Sequence, residues 1–138
     1  MFGLFSYDPQ YVNFENVQQA SQRSTYYILI NVLSFQEQDC LIKGTIDASL
    51  EEQMVNEMLS SIVEPDKPII VYGKNNQDKR VIQKATQLHN LGVKQVYIYQ
   101  GGMFEWLLLQ DIYGDEQFST TKRVIDLLKY RSTMTRII

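Results

Sequence analysis

The 138-residue chain has one cysteine, one histidine, one tryptophan and three prolines, and it has no excess of positive charge. A single thiol, Cys40, cannot form an intramolecular disulfide, so a reducing, intracellular setting is the simpler reading. With His89 the only histidine, a metal site would have to be assembled from one cysteine, one histidine and carboxylates, and no metal or cofactor is expected. Net charge is -3 with a pI near 5.1, so no global field attracts a phosphate backbone, which argues against nucleic acid as a partner. No apolar run approaches the roughly 20 residues of a membrane-spanning helix. The stretch MFGLFSYDP carries Phe2, Leu4 and Phe5 but neither a basic segment nor a sustained apolar one, so it does not read as a signal peptide. The expected location is the cytoplasm or nucleus.

What is present is the composition of a globular domain: 44% hydrophobic and 21% charged residues, in a length that suits one domain with a real core. YYILINVL (26–33), IIVY (69–72) and VYIY (96–99) are nearly continuous in apolarity and rich in β-branched and aromatic residues. Runs of this kind suit strands covered on both faces, hence a parallel sheet. Between them lie helical spacings. Leu50 to Ile62 carries Met54, Val55, Met58 and Leu59, with Glu51 and Glu52 in its first turn, and Lys79 to Leu91 carries Val81, Ile82, Ala85 and Leu88 before a Gly92 stop. A short edge strand is expected at Tyr11 to Phe14, leading into a helix over Glu15 to Gln22. Gly101-Gly102 should turn the chain into a helix from Met103 to Gln110, and a last helix is expected from Thr120 or Thr121 to about Arg131, with Val124, Leu127 and Leu128 on one face.

The order of these pieces resembles a rhodanese-like domain over roughly residues 11 to 113. LINV (29–32) resembles the family's LIDVR strand, GTIDAS (44–49) its GHIPGA stretch, IIVYG (69–73) the strand entering the catalytic cysteine, and GGMFEW (101–106) its Gly-Gly-x-x-x-Trp turn. The resemblance implies a three-layer α/β sandwich around a parallel sheet of about five strands, with an extra C-terminal helix. It divides the chain into a domain at 1–113 and a helical extension at 114–138, packed on or near it.

In the family a cysteine thiolate accepts sulfane sulfur, supported by loop N–H groups and a cation. The resemblance places Gly73 at that cysteine, Asn76 at the loop glycine and Asp78 at the loop arginine; a loop one residue longer would bring Lys79 to the cation position. Asn31 and Leu33 stand where LIDVR has its Asp and Arg. The expected function is therefore a catalytically inactive rhodanese-like domain that acts as a protein-binding or regulatory module, not an enzyme. The candidate surface is the loop of Gly73, Lys74, Asn75, Asn76, Gln77, Asp78, Lys79 and Arg80, rimmed by Asn31, Leu33, Gly101 and Gly102, because open α/β sheets bind at the carboxyl ends of their strands.

Residues 75–77 could present N–H groups as a weak anion cradle, or Asp78 could cap the following helix with its own carboxylate and fill the anion's place, which is the favoured reading. Gly73 is either a gap that admits a ligand or a position that prefers a small residue. Cys40, among Glu37, Asp39 and Leu41, reads as a buried structural cysteine, its alternative being a relocated nucleophile of a sulfurtransferase or phosphatase. His89 reads as a partly exposed helix residue and Trp106 as core. The basic C-terminal segment reads as a brace over the domain's own sheet, ahead of a docking helix for a partner or a structural assembly contact. An unidentified protein is the expected partner, and no oligomeric state is implied.

Overall fold

The computed structural model describes residues 7–62 and 66–138, so the expectation about Phe2, Leu4 and Phe5 lies outside the described residues. In chain order the elements are β1 (Tyr11–Val12), α1 (Phe14–Gln22), β2 (Ile28–Asn31), a 3-10 turn (Phe35–Glu37), α2 (Ala48–Ser60), β3 (Ile69–Tyr72), α3 (Arg80–Leu91), β4 (Val96–Tyr99), α4 (Gly102–Tyr113) and a second 3-10 turn (Leu127–Tyr130). All strand pairs are parallel in the order β1-β4-β3-β2, with Ile28 opposite Ile69, Ile69 opposite Val96 and Tyr11 opposite Ile98.

Every residue of β2 and β3 is buried because both sheet faces are covered. The two-residue period sends Leu29, Ile70, Tyr72 and Tyr99 to one face, against Val17 and Ala20 of α1 and Met103, Trp106 and Leu107 of α4. Ile28, Ile30, Ile69, Val71, Val96 and Ile98 go to the other, against Val55 of α2 and Val81, Ala85 and Leu88 of α3. The result is a three-layer α/β/α sandwich. α2 is the shallowest of the four helices: Val55 is buried, Met58 and Leu59 pack at the margin, and Leu50 and Ile62 stay in solvent. α3 stops at Gly92, whose φ of 109° suits a glycine.

Two expectations are corrected. The sheet has four strands among the described residues rather than about five; the fifth place is reduced to a single bridge between Leu29 and Thr45, where Ile46 N–H donates to Leu29 O at 2.9 Å. The second correction concerns the C-terminal helix, which does not form. Residues 119–133 form no α-helix and no strand, apart from the bridge at Thr120 and the Leu127–Tyr130 turn. Their main chain is committed elsewhere: Thr120 bridges Ile42 in antiparallel sense, Lys43 N–H donates to Ser119 O at 3.0 Å and Thr121 N–H to Leu41 O at 2.9 Å. Val124 and Leu127 still pack on the α4 side of the core, and Leu128, expected on the same face, is 54% exposed.

Candidate functional site

β3 ends at Tyr72, and the loop that follows is fixed from below by the start of α4. Met103 N–H donates to Gly73 O at 2.9 Å and Phe104 N–H to Lys74 O at 3.0 Å. This close approach explains the Gly-Gly pair. Gly102 has a φ of 65°, and a Cβ there would lie 2.6 Å from Gly73 O and 3.0 Å from Asn75 N. Trp106 anchors the same helix, fully buried, edge-on to Tyr99 and Phe118, its Nε1–H donating to Ser119 O at 3.1 Å.

Inside the loop sits the carboxylate of Asp78. Oδ2 accepts Lys74 N–H at 2.9 Å and the Arg80 guanidinium at 2.7 Å; Oδ1 accepts Arg80 N–H at 3.2 Å and Arg80 Nε at 2.8 Å. Asp78 thus takes one main-chain donor from the start of α3, Arg80 N–H, and one from the loop, Lys74 N–H, while the cap position of α3 is Lys79, whose side chain makes no cap bond. Its side chain is only 6% exposed. A Cβ on Gly73 would lie 2.5 Å from Asp78 Oδ2 and 2.7 Å from Val81 Cγ2. A side chain at 73 would have to displace the Asp78 carboxylate or the Val81 methyl, so the residue at this position is coupled to what fills the loop.

The charges close on themselves. Arg80 also meets Glu37 Oε1 at 3.3 Å, and Lys74 Nζ meets Glu37 Oε2 at 3.2 Å, giving two cations and two carboxylates in one cluster. Burial alone would raise the pKa of Glu37, but the Ser34 N–H and hydroxyl, Lys74 and Arg80 outweigh it and bring it down to about 2. Burial is likewise the largest influence on Asp78 and is outweighed by Arg80 and the Lys74 and Arg80 N–H groups, which hold its pKa below the ordinary value. The Ser34-x-x-Glu37 capping box was the available sequence signal for Glu37, which the sequence reading left outside the site.

The remaining predicted residues fall around this cluster. Asn31 and Leu33 are buried at the end of β2, where Asn31 Oδ1 accepts Leu33 N–H at 3.0 Å and Asn31 Nδ2 has no hydrogen-bond partner among the described residues. Asn76 and Lys79 point outward, and Gly101 caps α4 at the far side of the loop. Asn75 is nearly buried. Its Oδ1 accepts Gln77 N–H at 2.9 Å, and its Nδ2 donates to Tyr130 O at 3.0 Å and Arg131 O at 3.1 Å. Two open clefts flank the loop, one of about 200 Å³ lined by residues 75–79 with Tyr11, Ile98 and Gln100, the other of about 460 Å³ lined by Asn31, Leu33, Arg80, Gln83 and Lys84.

A model of the rhodanese-like domain family matches residues 15–109. The chain belongs to the rhodanese-like domain family. Among solved structures, the rhodanese-like domain here is similar to Ygr203w of Saccharomyces cerevisiae, described as a homologue of single-domain rhodanese and the Cdc25 phosphatase catalytic domain, at 16% identity and a TM-score of 0.62, covering 86% of this chain and 90% of that one. The rhodanese-like domain of the Anabaena protein Alr3790 matches at 20% identity and a TM-score of 0.52, with 96% of each chain covered. RPA3614 of Rhodopseudomonas palustris, titled a protein of unknown function and possible tyrosine phosphatase, matches at 17% identity and a TM-score of 0.52, over 77% of this chain and 83% of that one. No curated protein matches the sequence. At these identities the structural likeness establishes the fold alone.

Cys40, the chain's only thiol, is fully buried in the α4-side core and donates from Sγ to Lys122 O at 3.1 Å. Burial raises its pKa against the lowering effect of Thr120, the Lys122 main chain and nearby lysines, so the neutral thiol is favoured. His89 is half-buried on α3, its ring tilted against Tyr7 with centroids 5.4 Å apart. Among the described residues no helix is long and apolar enough to cross a membrane.

Proposed function

We propose that this rhodanese-like domain is non-catalytic and serves as a protein-binding or regulatory module, with the mouth around residues 73–80 as its working face. The observation that carries the proposal is the carboxylate of Asp78, seated 2.5 Å from where a side chain on Gly73 would begin. A sulfur- or phosphoryl-transfer enzyme of this fold needs a nucleophile there and free N–H groups to hold the transferred anion. In this loop the position has no side chain, and the N–H groups of Lys74 and Arg80 already donate to Asp78. The weak anion cradle expected at 73–80 is, on this proposal, filled from within, and the partner is a protein in a reducing compartment, the cytoplasm or nucleus.

Thiocyanate release from thiosulfate and cyanide, and hydrolysis of p-nitrophenyl phosphate, should both stay at the rate of buffer with the wild-type protein. Turnover that disappears in Cys40→Ser would overturn the proposal in favour of a relocated thiol. Sulfate titration followed on the amide resonances of Lys74, Asn75 and Arg80 should leave them unmoved in wild type and shift them in Asp78→Ala. Saturable shifts in wild type would show that the loop still holds an anion.

A further inference from the structure

The C-terminal segment is fastened to the mouth in an unusual way. Three hydrogen bonds tie them together, and each uses a loop side-chain amide on one side and strap main chain on the other: Asn75 Nδ2 donates to Tyr130 O at 3.0 Å and to Arg131 O at 3.1 Å, and Thr133 N–H donates to Gln77 Oε1 at 3.0 Å. The one side chain of this stretch that goes fully inside is Tyr130, 2% exposed, in the cluster that also holds Cys40, Tyr72 and Met103. Arg131 and Thr133, on either side of Ser132, remain in solvent.

Main-chain groups held by fixed amides, with one aromatic in a pocket, is chemistry by which a protein surface can hold a peptide segment. Hydrogen bonds to main chain do not depend on the side chains of the segment held, so the loop selects a backbone that leaves a short turn at Tyr130 and extends at Arg131, and the core cluster selects the aromatic. The fastening is also made at a single landing. Residues 134–138 beyond it lie in solvent, with Met134, Ile137 and Ile138 at least 88% exposed.

We infer that Asn75, Gln77 and the core cluster around Tyr130 form a binding site for a peptide segment of a partner protein that carries an aromatic anchor at the end of a short turn, and that the chain's own residues 130–133 occupy it in this structure as a displaceable strap. The inference rests on the reading of the domain as a protein-binding module and adds the class of ligand and the means of control. The partner gains entry when the strap lifts.

The probe is a fluorescein-labelled synthetic peptide with the sequence of residues 126–138, titrated by fluorescence anisotropy into the full chain. Wild type, with its strap in place, should bind at least tenfold more weakly than Tyr130→Ala, in which the anchor has been removed. The same peptide with its tyrosine replaced by alanine should lose at least tenfold on Tyr130→Ala, as should the original peptide on Asn75→Ala/Tyr130→Ala. Equal binding by wild type and a folded Tyr130→Ala, or equal binding of the two peptides, overturns the inference.

Should Tyr130→Ala not fold, Asn75→Ala carries the test through Cys40, which lies in the same cluster as the anchor. Modification of Cys40 by a disulfide reagent should accelerate at least tenfold over wild type while the exchange rate of the Val71 amide in β3 stays unchanged. Acceleration of both together would mean that only global opening occurs, and would overturn the strap. A failed peptide titration with flat sulfur- and phosphoryl-transfer assays removes the peptide site and leaves the non-catalytic reading standing; turnover removes the latter independently.

Discussion

Placing a thiol at position 73 is the sharpest perturbation of the mouth. In Gly73→Cys, the new Cβ would begin 2.5 Å from Asp78 Oδ2 and 2.7 Å from Val81 Cγ2, so either the carboxylate or the start of α3 must move. Overpacking of this kind costs about 1–3 kcal/mol. Driving Asp78 from its place also leaves the Lys74 and Arg80 N–H groups without their acceptor, which adds about 1–3 kcal/mol where they stay buried. The sum is a large part of the roughly 5–15 kcal/mol that holds a domain together. Urea unfolding in a Cys40→Ser background, which leaves one thiol, should therefore show a marked drop in midpoint for Gly73→Cys. Asp78→Ala removes the obstacle, so Gly73→Cys/Asp78→Ala should be less destabilised than the sum of its parts by about 1–3 kcal/mol, as expected for residues in contact. Reactivity gives a second reading. In Gly73→Cys the neighbouring carboxylate disfavours a thiolate, and iodoacetamide should label it more slowly than free cysteine at pH 7. In the double variant the released N–H groups at the start of α3 support the thiolate, and labelling should accelerate. Additive stabilities, or a single variant that labels faster than free cysteine, would refute the view that Asp78 fills the loop.

Three further outcomes follow from the same geometry. Glu37 has a folded pKa of about 2 against an ordinary 4.5; a depressed carboxylate contributes stability that is full above pH 4.5 and is lost as pH falls toward 2, roughly 2–3 kcal/mol in all, and Glu37→Gln should flatten that part of the unfolding profile between pH 2 and 5. An acid limb unchanged in Glu37→Gln would show that the cluster contributes little. Gly102→Ala combines a φ of 65° with a Cβ 2.6 Å from Gly73 O and should lower the thermal midpoint by several degrees, about 2 kcal/mol or more, whereas Gly114→Ala meets no atom within 4 Å and should cost only the backbone strain of its φ of 101°. Tyr72→Phe removes the hydroxyl that accepts Ile42 N–H at 3.1 Å and contacts Thr45 Oγ1 at 2.6 Å; with that buried N–H left alone, calorimetry should show a loss of about 1–3 kcal/mol.

The sandwich was legible because its signals are local and repeat. Four-residue apolar runs bury both faces in β2 and β3, and the stripes of Val81, Ala85 and Leu88 or Val17 and Ala20 point each helix at the sheet. The missing side chain at Gly73 and the capping role open to Asp78 could also be read directly, since both depend on residues within a few positions. The C-terminal segment was misread because Val124, Leu127 and Leu128 satisfy helical spacing, while the partners that take its main-chain groups, Leu41, Lys43 and Asn75, lie about 55 to 80 positions away. A pattern within one segment has no access to such bonds. The same distance hid Asn75, whose neighbours Asn76 and Gln77 suggested an anion nest rather than a clasp on residues 130 and 131.

The loop after β3 is gripped from two sides by later parts of the chain, by Met103 and Phe104 at the start of α4 and by residues 130–133 of the strap. On the ribosome, β3 and the loop emerge well before either grip exists. A nascent chain can pair β2 with β3 and dock α2 while the mouth is still open, and closes it only after residue 133 has cleared the exit tunnel. During that interval Tyr72 and Cys40 lack their final cover, so a loop made midway along the chain is among the last parts to take its final shape.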